Sequence, residues 1–176
     1  MLIKIIIAGF GGQGVLSMGL NLTQAAMIEG KNVTYLPSYG AEVRGGTANC
    51  TVAISDDEIA SPVASSPEFV IVMNQPSAVR FQNQLQSGGL FFINSSPVEA
   101  EISRGDINIV SVPANRIAEK LGSPKAANMV MLGAFTKKTS LVSLASVIQG
   151  LKYTLGAKQK LMAANEKALK AGYDLF

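Results

Sequence analysis

The 176-residue chain contains no histidine and no tryptophan, a single cysteine (Cys50), and only 15% charged residues. Each shortage removes a class of function. Without histidine the commonest general base and the commonest metal ligand are missing. Any chemistry must then rest on Glu, Asp, Lys, Arg, Tyr and Ser, or on groups lent by another chain. One cysteine makes no intrachain disulfide and cannot by itself hold an iron–sulfur cluster or a zinc ion. Aromatic residues are 6% of the chain, are not interleaved with basic ones, and no dense basic block occurs, which argues against nucleic acid as a partner. No apolar run approaches the ~20 residues of a membrane-spanning helix. Met1-Leu2-Ile3-Lys4 reads as the start of a strand and lacks the layout of a signal peptide. The expectation is a cytoplasmic chain that binds neither membrane nor nucleic acid.

What is present suits one globular domain over residues 1–176. Apolar residues make up 48% of the chain, enough for a sizeable core and too many for a disordered segment. The same numbers fit a sheet buried on both faces or a surface covered by a partner. The net charge of +3, with lysines concentrated toward the C-terminus, is compatible with an acidic ligand such as a phosphate-bearing cofactor.

Residues 2–8 form a continuous apolar run broken only by Lys4, as in a central strand buried on both faces. Residues 14–29 read as a helix that packs most of its surface and ends at Gly30. Residues 32–36 read as a second strand, completing a βαβ unit with a parallel sheet. A glycine-rich loop follows over 37–46. Strands are expected at 47–54, 69–73, 90–94 and 107–112. Helices are expected at 75–86, from Pro113 to near Gly122, from Ser123-Pro124 onward, from a Ser140 cap to about Leu151, and over about 157–173. The last helix carries Leu161, Ala164, Ala168, Leu169 and Tyr173 on one side. Strands interleave with helices throughout, so the fold class is α/β, with one open, mostly parallel sheet flanked by helices and a Rossmann-like start.

The stretch GFGGQG, residues 9–14, fits Gly-x-Gly-x-x-Gly between a strand and a helix. Such a loop turns sharply and lets an anion approach the free N–H groups at the helix start. A dinucleotide site would also place an acid at the tip of the second strand for the ribose hydroxyl. That tip is VTYLP, and no acid appears before Glu42. Gln13 adds an amide donor and acceptor at the helix mouth. The second loop, SYGAEVRGG, sets Glu42 and Arg44 two apart, so that in an extended strand they share a side. Gly45-Gly46 allows close backbone approach, and Tyr39 before Gly40 adds an amphipathic ring. Both loops follow strands and so lie at the carboxyl end of the sheet, where open α/β sheets bind ligands.

Either glycine motif alone is weak; the pair in this order and spacing is specific. With NMVMLGA at 128–134 and NEKALKAGY at 165–173, the chain resembles, over nearly its whole length, the gamma subunit or gamma domain of 2-oxoacid:ferredoxin (acceptor) oxidoreductases. The resemblance implies a complex that decarboxylates pyruvate, 2-oxoglutarate, 2-oxoisovalerate or indolepyruvate on thiamine diphosphate. Its electrons pass through iron–sulfur clusters to ferredoxin, and the acyl group goes to coenzyme A. The alpha and beta subunits would carry thiamine diphosphate, and the clusters would lie in beta or in a separate delta subunit. The gamma part would be inactive alone and would hold no metal and no catalytic residue. It would face coenzyme A at a subunit interface. Its expected cofactor-facing residues are Gly9, Gly11, Gly12, Gln13, Gly14, Tyr39, Gly40, Glu42, Arg44, Gly45, Gly46 and Asn128. The amides of Gly11–Gly14 either face an anion such as a coenzyme A phosphate or pack against a partner. Arg44 would pair with a phosphate or a partner carboxylate, oriented by Glu42. Asn128 either holds a loop backbone or reaches the site. Two alternatives stay open: a free-standing nucleotide-binding reductase and a purely structural assembly subunit. The 2-oxoacid also stays open, with 2-oxoglutarate marginally ahead.

Overall fold

The first apolar run forms strand β1 (Leu2–Phe10) in the computed structural model, which describes residues 1–39, 46–99, 101–156 and 159–176. Ile5 and Ile7 enter one core cluster, Ile6 and Ala8 the other. That is the period of two expected of a strand covered on both faces. The remaining strands are β2 (Asn32–Tyr39), β3 (Thr47–Ser55), β4 (Phe69–Val72), β5 (Leu90–Asn94) and β6 (Asn108–Val112). They form one sheet of order β2-β3-β1-β4-β5-β6. The pairs β1–β4, β4–β5 and β5–β6 are parallel. Among the described strands β3 alone runs against the rest, antiparallel to both β1 and β2. The sheet is thus mostly parallel, as expected.

The βαβ reading needs one correction. β2 runs in the same direction as β1 but does not pair with it, because β3 is inserted between them. The reason lies in helix α1 (Val15–Ile28). Ala48, Cys50, Val52 and Ile54 share a core cluster with Val15, Met18 and Leu22. A Cβ placed on Gly19 would run into the Cys50 sulfur. The bare glycine and the small Cys50 side chain let α1 lie directly on β3.

Among the described residues five helices lie on one side of the sheet: α1, α3 (Ala114–Lys120), α4 (Ala127–Thr139), α5 (Leu144–Leu155), which packs on α1, and α6 (Gln159–Tyr173), which packs on α4. The other face carries the short helix α2 (Gln75–Phe81), with Ala64, Leu85 and Val98 from irregular segments. α4 is apolar all round and buried from Ala127 to Thr136, the pattern of a central helix. It crosses α6 through glycines. A side chain on Gly133 would strike the Leu169 carbonyl, and one on Gly172 would strike the Val130 carbonyl.

Several boundaries differ from expectation. β2 continues through Pro37 to Tyr39; as an edge strand it tolerates a residue without an N–H. α2 stops at Phe81 instead of continuing to 86, because the chain turns and the Gln86 amide donates to the Pro67 carbonyl. Ser123-Pro124 opens a single 3-10 turn (Pro124–Ala126) with no side-chain cap, and α4 begins only at Ala127. Ser140 does not cap a new helix. It terminates α4 in the left-handed conformation at φ 51°, and the cap of α5 is Ser143, whose Oγ accepts from the Ser146 amide at 3.1 Å. Of the residues expected on one side of α6, Ala168 and Leu169 are buried while Leu161 is 49% exposed. Gly30 ends α1 in the left-handed region (φ 76°), as expected, and Glu166–Lys170 pair at 2.6 Å.

Candidate functional site

The glycine loop spans the end of β1 and the start of α1. Gly12 and Gly14 have φ of 94° and 73°, a region that favours glycine. Gly14 also has no room for a side chain, since a Cβ there would meet the Asn128 amide. Asn128 turns this closeness into a tie: its Nδ2 donates to the Gly14 carbonyl at 3.2 Å. The described bonds of the Asn128 side chain are to backbone: besides the Gly14 carbonyl, its Oδ1 accepts from the Met129 amide at 3.0 Å. The Gly9 position is equally tight, with Gln13 Oε1 and Val15 Cγ1 2.7 and 2.8 Å from where a Cβ would stand.

Gln13 is spent inside the fold. Its Oε1 accepts from the Phe10 amide at 2.7 Å and from Asn74 Nδ2 at 3.1 Å, and its Nε2 donates to the Met73 carbonyl at 3.1 Å. Phe10 ends β1, and Met73-Asn74 follow β4. The chain leaves β1 through α1 on one face of the sheet and β4 through α2 on the other, so the gap between these strand ends is the topological switch point. Open α/β folds bind dinucleotides there. Here the Gln13 side chain bridges that gap. Asn74 completes the brace and caps α2 through its Oδ1, which accepts from the Ser77 amide at 2.9 Å. Asn74 was not among the residues expected at the site. The sequence does mark it, because Asn ahead of Gln-Pro is a helix-start signature.

The open space lies on the other side of the loop, toward β3. A pocket of about 330 Å³ is lined by Phe10, Gly11, Gly12, Gly14, Val15, Leu16, Ser17 and Ala48. Among the described residues, the amides of Gly12, Gly14, Val15, Leu16 and Ser17 have no protein acceptor. The helix has no side-chain cap, so the first-turn donors and the helix dipole are left for an anion. Of the four loop amides expected to face outward, two are already committed: Gly11 to the Gly46 carbonyl at 2.9 Å and Gln13 to the Phe10 carbonyl at 3.1 Å.

The Gly11–Gly46 bond joins the two glycine loops at the carboxyl edge of the sheet. Tyr39, the last residue of β2, is opposite Ala48 in register. Gly40, Glu42, Arg44 and Gly45 lie outside the described residues. Cys50 is buried under α1, its Sγ 3.7 Å from the Val15 carbonyl. Burial pushes its thiol up to about 12, so it is neutral at physiological pH and no nucleophile. Among the described residues no three His, Cys, Asp or Glu side chains cluster as metal ligands, and no helix is long and apolar enough to cross a membrane.

A family described as pyruvate ferredoxin/flavodoxin oxidoreductase matches residues 4–175. The chain belongs to this family. It is 41% identical over 97% of its length to ketoisovalerate oxidoreductase subunit VorA of Methanothermobacter thermautotrophicus, but spans only 35% of that relative. It is 34% identical to 2-oxoglutarate synthase subunit KorC of Methanothermobacter marburgensis, covering 98% of this chain and 95% of the relative. The chain thus spans about a third of the VorA relatives and nearly all of the KorC ones. Among solved structures, the gamma subunit of a keto/oxoacid ferredoxin oxidoreductase from Geobacter sulfurreducens superposes with a TM-score of 0.84 at 25% identity, over 98% of this chain and 96% of that one. The 2-oxoglutarate:ferredoxin oxidoreductase of Magnetococcus marinus, solved with 2-oxoglutarate, coenzyme A and succinyl-CoA bound, shares the fold. Its TM-score is 0.89 at 23% identity, over 99% of this chain and 31% of that chain. The resemblance carried by the two glycine loops is to the family found here, and the fold is that of its gamma subunits.

Proposed function

We propose that residues 1–176 act as one gamma-type domain of a 2-oxoacid:ferredoxin oxidoreductase. The assembly would decarboxylate a 2-oxoacid oxidatively, form the acyl-coenzyme A and reduce ferredoxin. The observation that carries this reading is the family match over residues 4–175 in a chain without histidine and with one buried, un-ionised thiol. Thiamine diphosphate and the iron–sulfur clusters would then sit in alpha, beta and, where present, delta partners. This chain's single cysteine does not supply a cluster's ligands.

What the chain contributes is a rigid anion-binding surface. Gln13, Asn74 and Asn128 fix the loop, and the free amides of Gly12, Gly14 and the first turn of α1 would take phosphate oxygens of coenzyme A at the subunit interface. Pre-set donors pay little ordering cost when the ligand arrives. Arg44, oriented by Glu42, would add a bidentate contact to a phosphate or to a partner carboxylate, with Tyr39, Gly40 and Gly45-Gly46 bringing that loop close. The relatives' names cover ketoisovalerate, 2-oxoglutarate and pyruvate enzymes, and the thiamine-bearing partners would choose among these acids.

The test is anaerobic affinity purification of the tagged chain from its own host, with thiamine diphosphate and iron assayed in the eluate. Larger cysteine-bearing, thiamine-binding subunits in fixed stoichiometry are the expected result. A solitary chain free of both cofactors would overturn the reading.

A further inference from the structure

The two edges of the sheet are built differently. On β2, residues alternate between bonding β3 and facing outward, and Pro37 falls in the outward row. It has no N–H to offer, so it interrupts that edge as a template for another strand. On β6 the Asn108 amide donates to the Gly89 carbonyl at 2.9 Å, and the Ser95 amide donates to the Val112 carbonyl at 2.9 Å. In the parallel register with β5, Asn108, Val110 and Val112 therefore spend their backbone groups on β5. Ile109 and Ser111 turn theirs outward, and no described residue bonds to them.

The usual protections of an edge are missing here. β6 reads NIVSV, with no charge and no proline, and it is as long as its neighbour β5. Its register is continuous from Asn108 to Val112, so no bulge twists it away. Ile109 is 47% exposed. An unprotected, neutral edge with an exposed isoleucine is a surface for strand pairing.

We propose that β6 is the seam of a dimer. The β6 strand of a second copy of this chain pairs with it antiparallel about a two-fold axis at Val110, joining two six-stranded sheets into one. The strand is its own complement. With the axis at Val110, Ile109 stands opposite Ser111 of the other copy. These are the residues whose N–H and C=O groups face outward, so each such pair exchanges both bonds. Val110 and Val112 belong to the core on the helical side, so Ile109 lies on the α2 side. The two Ile109 side chains become diagonal neighbours there and cover each other. The strand carries no charge, so no like charges meet across the axis. Exposed Asp106 precedes it and exposed Arg116 follows it, and antiparallel pairing sets these unlike ends side by side. Two strands of this length bury less than the ~1,200 Å² of the smaller stable interfaces, so a dissociation constant of roughly micromolar order is expected. The pairing does not rest on the proposed function.

The test is sedimentation of the full chain over the micromolar range, with amide hydrogen exchange, for the wild type, Ser111→Pro, Ile109→Lys and Ile109→Glu. Ser111→Pro removes an outward N–H and no bond to β5, and position 109 is half in solvent, so the fold should survive; circular dichroism checks each variant. The wild type should dimerise, and its Ile109 and Ser111 amides should become protected as the dimer forms. Ser111→Pro and Ile109→Lys should each weaken the dimer at least about tenfold. Mixing Ile109→Lys with Ile109→Glu should restore it, because the axis brings these side chains together. A wild type that stays monomeric would overturn the pairing. So would a dimer whose Ile109 and Ser111 amides remain open, or one that both variants leave unchanged. Protection of these amides only in the assembly with alpha and beta subunits would give the edge to a partner and overturn the second copy as its occupant.

Discussion

Gly172 of α6 lies so close to the Val130 carbonyl of α4 that no side chain fits between them, and Gly133 of α4 stands in the same relation to the Leu169 carbonyl of α6. The crossing is reciprocal, each helix offering a glycine to the other's backbone. NMVMLGA and NEKALKAGY, two of the stretches that carry the family resemblance, are therefore the two halves of one contact. Gly172→Ala should force the helices apart and destabilise the protein by about 2–3 kcal/mol, the cost of overpacking a well-filled core. Urea unfolding measures it, and an unchanged midpoint would contradict the geometry.

Gln13 carries a separable prediction. Gln13→Ala removes acceptor and donor together and strands the Phe10 amide, the Met73 carbonyl and the Asn74 amide. The expected loss is about 1–3 kcal/mol of stability. Gln13→Glu should lose comparably, because a carboxylate cannot donate to the Met73 carbonyl. Were Gln13 a ligand-facing residue only, both variants would unfold at the wild-type urea concentration.

The glycine loop shows what sequence can and cannot disclose. Strand, loop and helix are written locally, in the β-branched run Ile5–Ile7, the glycines at 9, 11, 12 and 14, and the apolar spacing after Val15. All of these stand where expected. The insertion of β3 between β1 and β2 is not local, since it depends on Gly19 meeting Cys50 thirty-one positions away. Nor does Gln13 reveal its direction: its amide suits a ligand and a backbone equally, and only the strand order puts Met73 within reach. Ser140 and Ser143 are both plausible caps by residue type. The left-handed turn at Ser140 decides between them, and serine identity says nothing about that turn.

Cys50 should resist alkylation in the native protein. With its thiol raised to about 12 by burial, almost no thiolate exists at pH 8, and the Gly19 face of α1 covers the sulfur. A thiol reagent at pH 8 should label the folded chain at a small fraction of the rate seen in denaturant. Equal rates would mean that the α1–β3 contact is open in solution.

Asp106 gives the acid limb of stability a specific contributor. Its bonds to the Arg104 guanidinium, at 2.5 and 2.9 Å, hold its carboxyl at about 2, below the ordinary 3.8. A depressed folded value means that the stabilisation is fully present above the ordinary value and is lost as pH falls through the folded one. Wild-type stability should therefore decline between about pH 4 and pH 2 more steeply than that of Asp106→Asn. Parallel curves would assign the acid sensitivity elsewhere. Asp106 is exposed and Arg104 half-buried, so solvent screening keeps the difference modest.

The central claim is that this chain has no chemistry of its own and completes one that its partners perform. It is tested most directly by assembling the purified partner subunits anaerobically with and without this chain and measuring 2-oxoacid- and coenzyme A-dependent reduction of ferredoxin. The account predicts activity only when the chain is present, none from the chain alone, and a raised KM for coenzyme A in assemblies carrying Arg44→Ala. Full activity without the chain, or nicotinamide-dependent reduction by the chain alone, would contradict it.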